Sequence, residues 1–283
     1  MIDVIKDTLF DSVKLLPFLF LAYLLMEYLE HKTGNKTKDI VKKSGKLGPL
    51  WGGIIGIFPQ CGFSAAAANL YAGKIITMGT LIAVFLSTSD EMLPILISEA
   101  APASLILKVL AIKLVVGIIA GFIIDLVINV IGKTKKVEPE EAVWHMCEHD
   151  HCDCEHGIFK SALKHTINIF IFITIITFAI NTLIHFIGEE TIEKAIAGVP
   201  VLGILVSSIF GLIPNCAGSV IITELYLSNL ISFGSMIAGL LVGSGIGILV
   251  LFKSNKNIKE NLTITGLLML IGIIVGLIID FVI

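Results

Sequence analysis

Apolar positions in this chain run together rather than alternate. In Leu15 to Leu29, Ile158 to Ile187 and Gly266 to Ile283, hydrophobic residues fall on almost every face of a helix. At about 1.5 Å per helical residue, such runs cross or nearly cross a hydrocarbon layer of roughly 30 Å. A membrane β-barrel would instead show ten-residue segments of alternating polarity. The pattern predicts an all-α integral membrane protein, since a helix satisfies its own backbone donors and acceptors in lipid.

The pattern is also duplicated. A shift of 155 residues brings Leu47-Gly48 onto Leu202-Gly203, Gly56 onto Gly211, Pro59 onto Pro214 and Cys61 onto Cys216. The register holds without a gap through Leu70-Tyr71 and Leu225-Tyr226, Gly79 and Gly234, and Ile82-Ala83 and Ile237-Ala238. The closing segments, Gly117 to Asp125 and Gly272 to Asp280, are nearly the same string. Matched Pro, Cys, Gly, Tyr and Asp at one offset are not a by-product of general hydrophobicity. The chain is expected to divide into a first transmembrane repeat, 1–132, a linker, 133–157, and a second repeat, 158–283.

Charge adds orientation. The loop from His31 to Lys46 carries six lysines against Asp39, and Lys133, Lys135, Lys136, Lys160 and Lys164 flank the linker. Excess positive charge marks cytoplasmic loops, so 31–46 and 133–164 are expected inside and both termini outside. The loop after the matching helix of the second half has Glu189, Glu190 and Glu193 with only Lys194, which places it outside. Equivalent helices then run in opposite directions and the two copies form an inverted repeat, an arrangement used for alternating access. The segment from Leu47 to Ser98, cut at Pro59 and at Ser87-Thr88-Ser89-Asp90-Glu91, admits two threadings. One has three short crossings, five elements per half and about ten transmembrane elements in all. The other has a re-entrant hairpin turning at Pro59-Gln60-Cys61, then one crossing from about Ile75 to Ile97.

A mean hydropathy of +0.95, with 55% apolar and 15% charged residues, confirms lipid as the solvent. All 20 basic residues are lysine, so no guanidinium fork is available to clamp a phosphate, and no basic face suits nucleic acid. The first residues, Met1 to Asp7, lack a basic leader and a small-residue cleavage site, so the first helix is expected to be retained.

The sharpest candidate chemistry lies in Pro59-Gln60-Cys61-Gly62 and Pro214-Asn215-Cys216-Ala217. Proline opens a helix and frees carbonyls that at membrane depth need a ligand or cavity. Gln60, Cys61, Asn215 and Cys216, paired across a two-fold, would offer two amides and two soft sulfurs to one point. Asp90, Glu91 and Glu224 are acids within apolar segments and hence candidate substrate ligands, with Ser87, Ser89 and Asn69, the counterpart of Glu224, beside them. Lys113 lies about 15 Å inside its helix, able to neutralise an acid, to snorkel or to attract an anion. Asp125 and Asp280, late in their helices, read as interfacial caps. The linker packs His145, Cys147, His149, His151, Cys152, Cys154 and His156 among four carboxylates, a donor mixture suited to Zn²⁺, Co²⁺, Ni²⁺, Cu⁺ or Cd²⁺. Its spacing suits a flexible chelating loop rather than a fixed tetrahedral site.

The paired Pro-Gln-Cys-Gly and Pro-Asn-Cys-Ala motifs, the Ser-Thr-Ser-Asp-Glu stretch and the His/Cys-rich linker resemble a bacterial and archaeal permease family described as ten-helix heavy-metal exporters. Some of its members are labelled manganese transporter or arsenic efflux protein. The resemblance covers essentially the whole chain, and it implies ten transmembrane elements and export of a metal or metalloid across the cytoplasmic membrane. The expected function is a secondary transporter exchanging a divalent heavy or transition metal ion, manganese or a similar cation, for protons. Its partners are the metal ion and the bilayer, it requires no cofactor, and homo-oligomerisation is left open. Two alternatives stand beside it: an arsenite or oxyanion permease, and a membrane metal sensor without flux. The spans carry no His-Glu-x-x-His or Ser/Lys pair, and no phosphate-binding Gly-x-x-x-x-Gly-Lys motif occurs, which argues against an enzyme or an intrinsic ATPase.

Overall fold

The computed structural model describes residues 13, 16, 17, 20, 21, 24, 47–58, 61–89, 92–131, 158–187, 200–214 and 216–282, and the described residues are helical with no strand. After the helical residues 13, 16, 17, 20, 21 and 24 come α1 (Gly48–Gly56), α2 (Cys61–Ala72), α3 (Met78–Ser87), α4 (Met92–Ser98) and α5 (Ala103–Ile131). The second half has α6 (Ile158–Ile187), α7 (Pro200–Gly211), α8 (Cys216–Leu227), α9 (Phe233–Val242), α10 (Gly247–Ser254) and α11 (Ile258–Val282). The first residues of α2, α3, α4 and α5 recur 155 positions later as the first residues of α8, α9, α10 and α11.

Among the described residues, four segments are long and apolar enough to cross a membrane: Met78–Ser98, Ala103–Val130, Phe233–Ser254 and Ile258–Val282. The two that contain a break, Met78–Ser98 and Phe233–Ser254, are 75% and 83% buried, whereas α5 and α11 are only 22% and 28% buried. The interrupted helices are thus central and the continuous ones peripheral. Along α5, Leu107, Val115, Ile119, Ile123 and Leu126 face outward, as do Leu262, Leu270, Ile274 and Ile278 on α11. In lipid such a stripe carries no penalty.

The packing fixes the relative directions of the short helices. α1 lies against α3 with Gly48 and Gly52 beside Thr80, and Gly56 beside Val84 and Ser87, so the two helices run in the same direction. α2 returns between them, and the Phe58 and Phe63 rings meet across the turn with centroids 6.0 Å apart. With 9 and 12 residues, α1 and α2 extend about 14 and 18 Å. They form an antiparallel pair that precedes the interrupted segment α3–α4. α7 and α8 repeat the arrangement, Gly211 lying against the Gly239 carbonyl.

Two devices hold each half. Small residues let backbones touch: a methyl group on Gly117 would stand 2.9 Å from the Ala83 carbonyl oxygen, and one on Gly272 2.9 Å from that of Ala238. The second device is a carboxylate at a helix start. Asp125 accepts from Thr77 Oγ1 at 2.7 Å and from the Gly79 amide at 2.9 Å. Asp280 accepts from Ser232 Oγ at 2.5 Å and from the Gly234 amide at 2.7 Å. Thr77 and Ser232 in turn cap α3 and α9 by accepting from the amides of Thr80 and Ser235. The capping role expected of the two aspartates holds, and each caps a neighbouring helix rather than its own.

The halves are knitted reciprocally. α2 packs on α10, and α8 on α4, so each hairpin's second arm rests on the helix that follows the break of the other half.

Asp125→Ala and Asp280→Ala are each expected to cost about 1 to 2 kcal/mol, the worth of a lost N-cap, with near-additive effects in the double variant. Thermal unfolding of the purified protein measures this, and unchanged midpoints in both single variants would show that the carboxylates do not hold the helix starts.

Candidate functional site

The first break begins where three hydroxyls turn back on the helix end. Ser87 Oγ donates to the carbonyls of Ala83 (2.7 Å) and Val84 (3.1 Å), Thr88 Oγ1 to Val84 (2.7 Å), and Ser89 Oγ to Ser87 (3.2 Å). All three side chains are buried. Such back-bonding competes with the backbone ladder, and at Thr88 (ψ 126°) the chain leaves the helix. α4 resumes at Met92 with Pro94 in its first turn, where proline removes no needed donor. The second break uses glycine instead. Gly243 (ψ 95°) ends α9, and Gly245 adopts a φ of 53°, a left-handed conformation that favours glycine. Lys113 of α5, 1% exposed, donates its ammonium to the Leu240 carbonyl in the last turn of α9.

The hairpin tips stand at the level of these breaks. Gly56, the last residue of α1, touches Ser87. A methyl group on Gly247 would lie 2.9 Å from Ser64 Cβ and 2.8 Å from the Phe85 ring, so the start of α2, the end of α3 and the start of α10 meet at one place. The Cys61 end of α2 therefore stands beside the second break, and α8, which opens at Cys216, packs on α4 beyond the first.

The opposite ends of α2 and α8 close with the same turn. Ile75 N–H bonds the Leu70 carbonyl and Leu230 N–H that of Leu225, both at 2.9 Å, with Lys74 and Asn229 left-handed at φ 56° and 58°. Beyond this turn the halves differ. On the α2 side, Ser254 Oγ donates to Asn69 Oδ1 at 2.7 Å. Glu260 accepts from Tyr71 OH, from Lys74 Nζ at 3.3 Å and from Asn255 Nδ2 at 3.4 Å. This network ties the first half to the α10–α11 junction. At the equivalent place on α8, Glu224 and Glu99 line an open cleft of about 250 Å³. There Tyr226 leans on Phe233, ring centroids 5.7 Å apart, and the counterpart of Glu260 is Leu105.

The structure thus gathers some predicted residues and disperses others. Ser87 and Ser89 stand at the first break. Asn69 and Glu224 do not reach the breaks; each is eight residues, about 12 Å, along its helix from Cys61 or Cys216, one in the tied junction and the other exposed in the cleft. Gln60, Asn215, Asp90 and Glu91 lie outside the described residues, and so do His145, Cys147, His149, His151, Cys152, Cys154 and His156. Among the described residues no three His, Cys, Asp or Glu side chains form a metal-binding group. Sequence reasoning missed Tyr71, Glu260 and Ser244. The signal was present in the positions where the repeats disagree, Glu260 against Leu105 and Ser254 against Glu99.

A family model described as "Putative, 10TM heavy-metal exporter" matches residues 1–188 and 158–283. The chain belongs to this family. Comparison with curated proteins and with solved structures finds no match. The description of this heavy-metal exporter family counts ten transmembrane elements.

Glu260→Gln keeps the shape of the tied junction but removes its charge. It is expected to lower stability by about 1 kcal/mol and to speed modification of Lys74 by an amine reagent in the folded protein. An unchanged rate at Lys74 would show that the network does not hold this junction shut.

Proposed function

We propose that this chain is a secondary transporter that exports a divalent heavy or transition metal ion, manganese or a similar cation, from the cytoplasm by alternating access. The carrying observation is the contrast between two equivalent junctions, one tied by Asn69, Tyr71, Lys74, Ser254 and Glu260, the other open beside Glu99 and Glu224. A duplicated frame that closes one end while opening the other supports transport better than it supports sensing. The halves are read as inverted, with the linker and Lys74 on the cytoplasmic side and the Glu99–Glu224 cleft on the outer side of the cytoplasmic membrane.

The cation binds near the bilayer midplane, where the hairpin tips meet the first break. Ser87, Ser89, Asp90 and Glu91 supply hard oxygen donors, while Gln60, Asn215, Cys61 and Cys216 add amides and soft sulfurs. Half-helix carboxyl ends favour a cation at such a break. Asp90 and Glu91 exchange the metal for protons. Asn69 and Glu224, displaced from the centre, act at the two gates. The His145–His156 segment serves as a cytoplasmic chelator that feeds the inner side.

Inside-out vesicles containing the purified protein test this with Mn²⁺, Zn²⁺, Co²⁺, Cd²⁺ and arsenite. Saturable uptake of one cation is expected, lost in Asp90→Asn/Glu91→Gln and reduced at least about tenfold in Cys61→Ser/Cys216→Ser for a soft metal. Uptake of arsenite alone would replace the cation with an oxyanion or arsenical, and metal binding without flux would make the protein a sensor.

A further inference from the structure

The α4–α5 and α10–α11 junctions are equivalent in the repeat, yet their surfaces carry opposite charge. The second holds Lys253, Lys256 and Lys259, all exposed, and Lys74 reaches it from the turn after α2. At the repeat offset these four positions become Ser98, Ala101, Ser104 and Asn229, and the first junction is bordered by Glu99 and Glu224 instead. Lys74 pairs with Glu260 at 3.3 Å, and the Lys253 ammonium lies 5.3 Å from the centroid of the Phe172 ring. Among the described residues no carboxylate pairs with Lys253, Lys256 or Lys259.

The turn that presents these lysines is built from buried amides. Asn255 Nδ2 donates to Asn261 Oδ1 at 2.7 Å, and Asn261 Nδ2 donates to the Asn255 carbonyl at 2.9 Å. Asn257 Oδ1 accepts from the Glu260 amide at 3.3 Å in the first turn of α11. A turn fixed in this way leaves only side-chain freedom to be lost when a ligand binds. Apolar side chains are exposed beside the lysines: Phe252, Ile258 and Leu262. Ile258 and Leu262 head the outward stripe that continues along α11 through Leu270, Ile274 and Ile278. The 25 residues of α11 extend about 37 Å, beyond a hydrocarbon layer of roughly 30 Å. With that stripe in the acyl chains, the first turn of α11 and its lysines stand among the headgroups.

We propose that the α10–α11 junction is a binding surface for anionic phospholipid, with Lys253, Lys256 and Lys259 holding the headgroup phosphate and Phe252, Ile258 and Leu262 against the acyl chains. Charge complementarity carries this: ammonium groups meet phosphate as point charges, and lysines at the edge of a span are drawn to an anionic leaflet. The equivalent junction, bordered by acids, would repel the same lipid. Four lysines also crowd around the one carboxylate of Glu260, so a bound anion relieves their mutual repulsion and strengthens the tie between Glu260, Tyr71 and Lys74. The leaflet concerned is the cytoplasmic one, a point that rests on the orientation in the export reading; the lipid surface itself does not.

The test uses the full chain without metal, in nanodiscs of phosphatidylcholine alone or mixed with phosphatidylglycerol of the same acyl chains. Thermal unfolding is followed in both, and native mass spectrometry counts the phosphatidylglycerol retained from mixed micelles. The wild type is expected to unfold about 2 °C or more higher with phosphatidylglycerol and to retain it. Lys253→Gln/Lys256→Gln/Lys259→Gln should lose the shift and retain at least about tenfold less of the lipid. Lys32→Gln/Lys36→Gln/Lys38→Gln removes the same charge elsewhere and should respond as wild type. A junction variant that keeps the shift and the lipid overturns the proposal, as does an equal loss in both triple variants, which would mean attraction by net charge alone. Stabilisation of the same size by inorganic phosphate in phosphatidylcholine discs would replace the lipid with a soluble anion and also overturns it. Should the junction variant fail to fold, its three single substitutions decide, each expected to lower retention about fivefold. A lipid response in a protein that moves no metal upholds the surface while the export reading falls.

Discussion

A backbone that stops being helical inside a bilayer leaves amides and carbonyls that water cannot reach, and the rest of this architecture answers that constraint. The chain interrupts two long apolar segments, after Ser87 and after Val242, and sets two pairs of short helices beside them. Every resulting end needs a partner from elsewhere in the protein. Hydroxyls of Ser87 and Thr88 serve the end of α3, the Lys113 ammonium serves the end of α9, and the carboxylates of Asp125 and Asp280 serve the starts of α3 and α9. Because such ends tolerate neither lipid nor an apolar neighbour, the interrupted helices occupy the centre. The continuous helices α5 and α11 form the rim that lipid can wet.

Centrality in turn demands close approach. Gly117 and Gly272 let the rim helices lie directly on the backbone of α3 and α9, and Gly56 and Gly211 do the same for the first hairpin arms. Without a hydrophobic driving force between helices in lipid, this contact and the shared hydrogen bonds are what hold the assembly. The two aspartate caps therefore have a double role: each satisfies a helix start, and each fixes the register of a long helix against the interrupted one.

Duplication provides two copies of each device, and function enters where the copies stop agreeing. The turn after α2 and the turn after α8 have the same backbone, down to the left-handed residues Lys74 and Asn229. One is tied to the opposite half through Glu260 and the other opens on Glu99 and Glu224. The breaks diverge likewise, one rich in oxygen donors and the other holding a lysine. The repeat supplies the shared backbone, and the differing side chains supply the contrast between its copies.

The membrane class, the repeat, the caps at Asp125 and Asp280 and the break after Ser87 were legible in the sequence alone, because hydropathy and a fixed offset are properties of one dimension. The antiparallel pairing of the 9- and 12-residue helices α1 and α2 was not, since it depends on what they pack against. Nor could the sequence separate Asn69 and Glu224 from the breaks: polarity within an apolar run signals a buried partner but not its depth. Lys113 could have paired with an acid, snorkelled or faced an anion, and only tertiary structure set its ammonium on the Leu240 carbonyl. The sequence by itself determined which groups must find partners in lipid, and the tertiary structure decided which partners they found, because most of those are distant in the chain, 46 residues for Asp125 and Gly79 and 127 for Lys113 and Leu240, and are brought close only by packing.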